Sequence, residues 1–173
     1  MLNQFQGTEG KRRILEIFRN SELVKQNSEL AERLTQNVKL KRYEKGEELY
    51  HQEESARGYL YLILSGKVDL LRNGTIINTK ETGQAVGEFP FINPALPYTV
   101  TALCQERTTV AMISEKQFEP IFHDYPVLWK NLAESLVRRL NIASNRLGNP
   151  KAYRVVMDIQ NSGRNLEILL MIN

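Results

Sequence analysis

Gly87-Glu88-Phe89-Pro90-Phe91-Ile92-Asn93-Pro94-Ala95-Leu96-Pro97-Tyr98-Thr99-Val100-Thr101-Ala102 is the stretch on which the fold turns. A Gly-Glu pair ends a run of short strands and opens one helical turn. A loop broken by Pro94 and Pro97 then leads into a β-branched strand, Tyr98 to Ala102. Strand, Gly-Glu, short helix, loop, strand is an order in which a β-barrel can hold a small anion against backbone amides.

On either side the chain reads as β-structure from Val38 to about Ser114. Val38, Leu40 and Arg42-Tyr43 alternate, Glu44-Lys45-Gly46 is a turn, and Leu49-Tyr50 begin another strand. Tyr59 to Leu64 is a continuous apolar strand stopped by Ser65-Gly66. Val68, Leu70 and Leu71 resume the extended pattern, Asn73-Gly74 is a strong hairpin turn, and Ile76-Ile77 return. Thr82-Gly83 turns the chain toward Val86-Gly87-Glu88; beyond the loop, Tyr98 to Cys104 and Thr108 to Ile113 add two strands. Many short strands with regular turns predict a barrel or jelly roll, not a parallel sheet.

Helices flank this region. Ile14, Leu15, Ile17 and Phe18, then Leu23 and Val24, recur at helical spacing, and Asn27 or Ser28 caps a second helix that buries Leu30, Ala31 and Leu34. Ser114 caps a turn whose Phe118, Ile121 and Phe122 form an apolar face. Pro126 then starts a longer helix carrying Leu128, Trp129, Leu132, Ala133, Leu136, Val137, Leu140 and Ile142. That stripe is broad and close to a heptad seam, so it can pack on the barrel and on a second copy. Gly148-Asn149-Pro150 stops it. Residues 151–173 read as a strand from Tyr153 to Ile159, a turn at Asn161-Ser162-Gly163 and an apolar segment from Leu166, the first strand and helix of an α/β domain. The fold expected is mainly β with flanking helices (α+β). It has an N-terminal helical segment over 1–36, a double-stranded β-helix or jelly-roll barrel with a long C-terminal helix over 37–146, and a tail over 147–173 that is either an appendage of its own or the start of a lost or truncated α/β domain.

Composition narrows the function classes. The 173 residues are 42% hydrophobic and 25% charged, as in ordinary globular proteins, and the apolar runs fall far short of a bilayer span. The first residues lack an apolar signal core, which makes cytoplasmic the default expectation. Cys104 is the single cysteine, so no disulfide forms within this sequence and a cysteine metal cluster is excluded. A net charge of +3 fits an anionic ligand or a weak nucleic-acid contact and decides neither. The densest basic run, Lys11-Arg12-Arg13, reads as a solvated helix face at a helix start. His51 and His123 have no catalytic or zinc-ligating partners in sequence. No Ser-His-Asp order, phosphate loop or metal-ligand spacing is present, so neither catalytic nor metal residues are expected and the chain reads as non-enzymatic.

Five matches in order carry a family resemblance: Lys45-Gly46-Glu47-Glu48-Leu49; Leu60 through Ser65-Gly66 to Val68; Gly83 through Gly87-Glu88; Thr99-Val100-Thr101-Ala102; and Arg139-Leu140. Together they resemble the cyclic nucleotide-binding domain family, of catabolite-activator and protein kinase A regulatory-subunit type, over about residues 28–146. The resemblance implies a ligand site at Val86, Gly87, Glu88, Phe89, Tyr98, Thr99 and Arg139 that takes a cyclic mononucleotide, cyclic AMP or one with a less common base. In such a site, whose phosphate-binding cassette falls on residues 87–102, the Gly amide and Glu carboxylate hold the ribose hydroxyl, amides at the cassette helix and an arginine hold the cyclic phosphate, and the long helix is repositioned by the ligand.

Two departures stand against that pattern. Pro90 removes an amide donor, and counting back from Thr99 places Leu96 where the family carries its arginine. Arg138, Arg139 and Lys80 are the candidate replacement cations, and Tyr98 and Thr99 offer hydroxyls toward the pocket, with Tyr98 also able to stack on a base. Four functions fit. The first is a sensor domain for a cyclic mononucleotide, dimerising through helix 127–146. The second is a ligand-free scaffold with a vestigial cassette. The third is the sensor half of a larger antiviral effector of Toll/interleukin-receptor type. The fourth is a transcription regulator, for which residues 151–173 are too few to hold a helix-turn-helix domain. No direct DNA binding and no membrane partner are expected.

Overall fold

The structure is a computed structural model that describes residues 2–36, 38–93, 95–146, 153–158 and 167–172. Helix α1 (Gly7–Asn20) starts earlier than Lys11-Arg12-Arg13, which lie exposed within it, Arg12 pairing with Glu9 at 2.6 Å. It buries Ile14 and Phe18, and the Ser21 hydroxyl ends it by donating to the Phe18 carbonyl at 2.6 Å. Asn27 caps α2 (Ser28–Thr35): its side chain accepts from the Leu30 N–H at 3.0 Å, satisfying an otherwise orphaned amide. Leu23 and Val24, expected to continue the helical face, lie in the turn between the helices and are buried there.

Eight strands follow: β1 (Lys39–Tyr43), β2 (Glu48–Tyr50), β3 (Tyr59–Ser65), β4 (Lys67–Arg72), β5 (Thr75–Glu81), β6 (Ala85–Val86), β7 (Thr101–Cys104) and β8 (Thr108–Ser114). They form two four-stranded sheets in the orders β1-β8-β3-β6 and β2-β7-β4-β5. That is the two-sheet jelly roll. Its core draws Tyr43, Tyr61, Ile63, Val86 and Val110 from the first sheet and Leu49, Tyr50, Val68, Leu70, Ala102 and Cys104 from the second. Leu60 to Leu64 are all buried, because β3 is covered on its outer face as well as its inner one, and α1 and α3 (Glu88–Ile92) lie against it. Asn73 and Gly74 both take positive φ, 50° and 77°, the signature of the tight hairpin turn joining β4 to β5. At Gly66 a Cβ would fall 2.8 Å from the Arg107 carbonyl, so the β3–β4 turn admits only glycine.

Two expectations are corrected. The strand read from Tyr98 begins at Thr101, because Tyr98 gives its main-chain hydrogen bonds to another loop: Glu53 N–H donates to the Tyr98 carbonyl at 2.7 Å, and Tyr98 N–H donates to the Glu54 carbonyl at 3.0 Å. The apolar tail segment is a strand, not a helix. Strand β10 (Glu167–Ile172) pairs antiparallel with β9 (Tyr153–Asp158), Glu167 opposite Asp158, because a run of six residues gains more from cross-strand pairing than from a turn and a half of helix.

Ser114 fixes the start of α4 (Glu115–Asp124) by donating from both N–H and hydroxyl to Gln117 Oε1, at 3.1 and 2.7 Å. The chain divides into two compact units, Met1–Asp124 and Tyr125–Asn173. The second holds α5 (Val127–Arg146) and the β9–β10 hairpin; within α5 Leu128, Leu132 and Ala133 are buried and Trp129, Leu136 and Val137 half-buried.

Candidate ligand-binding site

Val86 pairs with Tyr61 at the end of β6, and Gly87, at φ +88°, turns the chain sharply into α3. A Cβ on Gly87 would lie 3.2 Å from Tyr61 Cδ2, 3.3 Å from the Tyr59 carbonyl oxygen and 3.5 Å from Tyr50 Cε1. The positive φ favours glycine here before any ligand is considered, and a Cβ would fit only if Tyr61 and the Tyr59 carbonyl gave way by a few tenths of an ångström. Glu88, the first residue of α3, is 3% exposed. Phe91 is buried edge-on against Phe118, ring centroids 4.8 Å apart. The side chain of Phe89 lies outside the described residues.

Tyrosines gather over Gly87. Tyr98, 2% exposed, stacks on Tyr50 with centroids 3.9 Å apart and planes 9° from parallel, and Tyr50 tilts against Tyr61 at 5.8 Å. Val86, Gly87 and Tyr98 are thus brought together. Thr99 is exposed instead, and Thr101 supplies the nearby hydroxyl, accepting from the Gln52 N–H at 2.9 Å. Tyr50 and Tyr61 were hidden in the sequence as ordinary strand residues; the two-residue period along Tyr59, Tyr61 and Ile63 is the signal that faces them inward.

Among the candidate cations, Lys80 sits opposite Val68 in the β4–β5 ladder, on the interior face, and is 5% exposed. Arg138 is exposed, and the side chain of Arg139 lies outside the described residues. Leu96 is 44% exposed, in a turn where its N–H donates to the Asn93 carbonyl at 3.0 Å. Sequence reasoning missed Arg57, in the β2–β3 loop. Its Nε and Nη2 both reach Glu54 Oε1 at 2.6 Å and its Nη1 donates to the Leu49 carbonyl at 3.2 Å. Partial burial opposes its charge, and the Glu54 hydrogen bond and carboxylate outweigh that, holding its pKa above the ordinary value. The spacing Glu54-x-x-Arg57 just before an apolar strand was its only trace in the sequence.

Burial pushes the Tyr61 and Tyr98 hydroxyls to higher pKa, so both remain neutral phenols. Burial likewise raises the Cys104 thiol to about 11, which leaves it an unreactive core residue. His51 lies just past β2 rather than within it, against Glu48 at 3.1 Å, and His123 faces Asp124 at 3.5 Å. Among the described residues no group of three or more His, Cys, Asp or Glu could hold a metal ion, and no helix is long and apolar enough to cross a membrane.

The profile of the family described as cyclic nucleotide-binding domain matches residues 40–125. The Pycsar effector protein XpPycTIR of Xanthomonas perforans is 31% identical over 169 residues, 98% of this chain and 55% of that protein. The chain spans about half the length of the curated relatives it matches. A cyclic nucleotide-binding domain from Methylobacillus flagellatus shares the fold with a TM-score of 0.65 at 21% identity, over 83% of this chain and 92% of that one. The Thermus thermophilus catabolite activator protein does so with a TM-score of 0.66 at 24% identity, over 74% and 62%. With the profile on residues 40–125 and the jelly roll common to these proteins, the chain belongs to the cyclic nucleotide-binding domain family.

Proposed function

We propose that this chain is the sensing part of a larger effector: it takes a cyclic mononucleotide at Val86, Gly87 and Glu88, beside Tyr98, and passes the event on through α5. The observation that carries the reading is the buried Gly87-Glu88 pair at the head of α3, inside a jelly roll of the cyclic nucleotide-binding family. Glu88 supplies a carboxylate to a ribose hydroxyl, a charge-assisted bond worth roughly 1.5–3 kcal/mol. Phe89 and Thr99 remain part of the proposed contact set. The effector setting draws on the Pycsar effector relatives, of which this chain spans about half, and not on the tail, which pairs as two strands. In that setting any chemistry belongs to a neighbouring domain, and residues 1–146 act without catalysis.

The tyrosine packing over Gly87 sets the mechanism. A ribose that reaches Gly87 must displace ring surface of Tyr50 or Tyr61, so ligand entry repacks the cluster instead of filling a rigid slot. The test is thermal melting with the 3′,5′-cyclic monophosphates of adenosine, guanosine, cytidine and uridine, linear monophosphates serving as controls. A ligand at about one hundred times its Kd adds about 2.7 kcal/mol, a shift of several degrees, and at least one cyclic nucleotide is expected to produce it. Glu88→Ala is expected to abolish that shift while leaving the unliganded melting temperature within a few degrees. A second reading, the scaffold with a vestigial cassette, is favoured by the exposed Leu96 at the cassette's arginine place; absence of any shift at millimolar ligand would select it.

A further inference from the structure

Arg57 lies outside the cassette, yet its loop is stitched to the residue that leaves the cassette. Glu53 N–H and the Glu54 carbonyl both bond the main chain of Tyr98, at 2.7 and 3.0 Å. The Glu54 carboxylate holds Nε and Nη2 of Arg57 at 2.6 Å, and the Leu49 carbonyl holds Nη1 at 3.2 Å. Leu49 precedes Tyr50, whose ring carries Tyr98 at 3.9 Å. These anchors fix a guanidinium beside the Tyr50–Tyr98 stack, and a second N–H on each terminal nitrogen is available to a ligand.

The Tyr98 hydroxyl is an independent observation. Tyr98 is 2% exposed, and its Oη has no hydrogen-bond partner among the described residues: it faces the Tyr61 hydroxyl and the Arg57 backbone N–H without reaching either at bonding geometry. A buried hydroxyl left without a partner weakens a fold, and a ligand oxygen beside it would supply the missing bond. The charge of Arg57 acts on the hydroxyls of both Tyr61 and Tyr98, which puts guanidinium and phenols in one electrostatic neighbourhood.

We propose that Arg57 and the Tyr98 hydroxyl together hold the cyclic phosphate, in place of the arginine that the cassette lacks at Leu96. The assignment rests on the reading of the pocket as a nucleotide site and adds the residues that bind the anion. A cyclic phosphodiester is a monoanion with two exocyclic oxygens. The guanidinium's remaining N–H groups meet those oxygens, and the Tyr98 O–H donates to one of them. Glu54 orients the guanidinium, and its own negative charge opposes the phosphate at the same time.

The test is isothermal titration calorimetry of the full chain with the four 3′,5′-cyclic monophosphates named above and with the nucleoside of each base, which lacks the phosphate. Arg57→Gln is expected to weaken the cyclic nucleotide on the order of 10–100-fold and leave the nucleoside unchanged, with Arg57→Lys recovering part of the loss. Glu54→Gln removes the opposing charge and keeps one acceptor oxygen for the Arg57 guanidinium, while the oxygen that accepts from the His51 N–H is lost; it is expected to strengthen the cyclic nucleotide and not the nucleoside. Tyr98→Phe is expected to weaken the cyclic nucleotide while the unliganded protein melts at or above the wild-type temperature, a result that stands even if Arg57→Gln fails to fold. Equal losses for nucleotide and nucleoside, or no loss in Arg57→Gln and Tyr98→Phe, overturn the assignment while the nucleotide reading survives. A wild-type chain that binds none of the cyclic nucleotides overturns both.

Discussion

Gly87 is held by the fold before it is held by any ligand. Its φ of +88° is one that a residue with a Cβ reaches only under strain, and the added carbon would crowd Tyr61 and the Tyr59 carbonyl. Gly87→Ala is therefore expected to lower stability by about 1–3 kcal/mol, read as a fall in the urea midpoint with an unchanged slope; a midpoint within error of wild type would show that α3 shifts freely. Leu96 is the contrasting residue. With 44% of its surface exposed in a turn, it tolerates a long polar side chain, so Leu96→Arg is expected to leave the melting temperature within a few degrees. The same substitution restores a cation at the cassette's arginine place and is expected to raise affinity for a cyclic nucleotide in calorimetry. An unchanged affinity would mean that this shortened loop points the side chain away from the phosphate.

The β2–β3 loop carries a carboxylate whose ionisation the fold favours. The His51 N–H, aided by Arg57 and opposed by partial burial, holds the Glu54 carboxyl below its ordinary value of 4.5. A carboxyl depressed in the folded state contributes stability that is fully present above its unfolded value and is lost as pH falls through the folded one. Wild type and Glu54→Gln are thus expected to differ in melting temperature above about pH 5 and to converge as pH falls through the folded value, which lies below 4.5. A constant difference across that range would remove Glu54 ionisation as the cause. This loop also marks where the sequence was hard to read. Asn73-Gly74, Ser65-Gly66 and Asn27 announce their turns and cap because local backbone demands select those residues, and so the jelly roll was legible. Tyr98 looked like a strand residue because its β-branched neighbours outvote it locally, whereas its partners, Glu53 and Glu54, are distant in sequence. The sharp turn at Gly87 into α3 was legible for the same local reason as the other turns. Arg57 was not, since only tertiary pairing brings its loop beside the cassette.

At the scale of the whole molecule, the proposed function makes α5 the element through which a sensing event leaves the domain. Leu128, Leu132 and Ala133 are already buried, so a second copy would have to use the half-buried face that carries Trp129 and Leu136, seven residues apart, and Val137. Seven-residue spacing brings side chains back to one seam, the geometry by which two helices of separate chains interlock, and a dimer would let one binding event register on two attached domains. The 20.0 kDa chain is therefore expected to scatter light as a dimer at high micromolar concentration. Leu136→Glu puts a charge into the seam and is expected to return the monomer mass, with a melting temperature that no longer rises with protein concentration, because association stabilises the folded state by mass action. A wild-type chain of monomer mass at that concentration would remove α5 as a self-association surface. The signal from Gly87 and Glu88 would then have to pass to an attached domain within one chain.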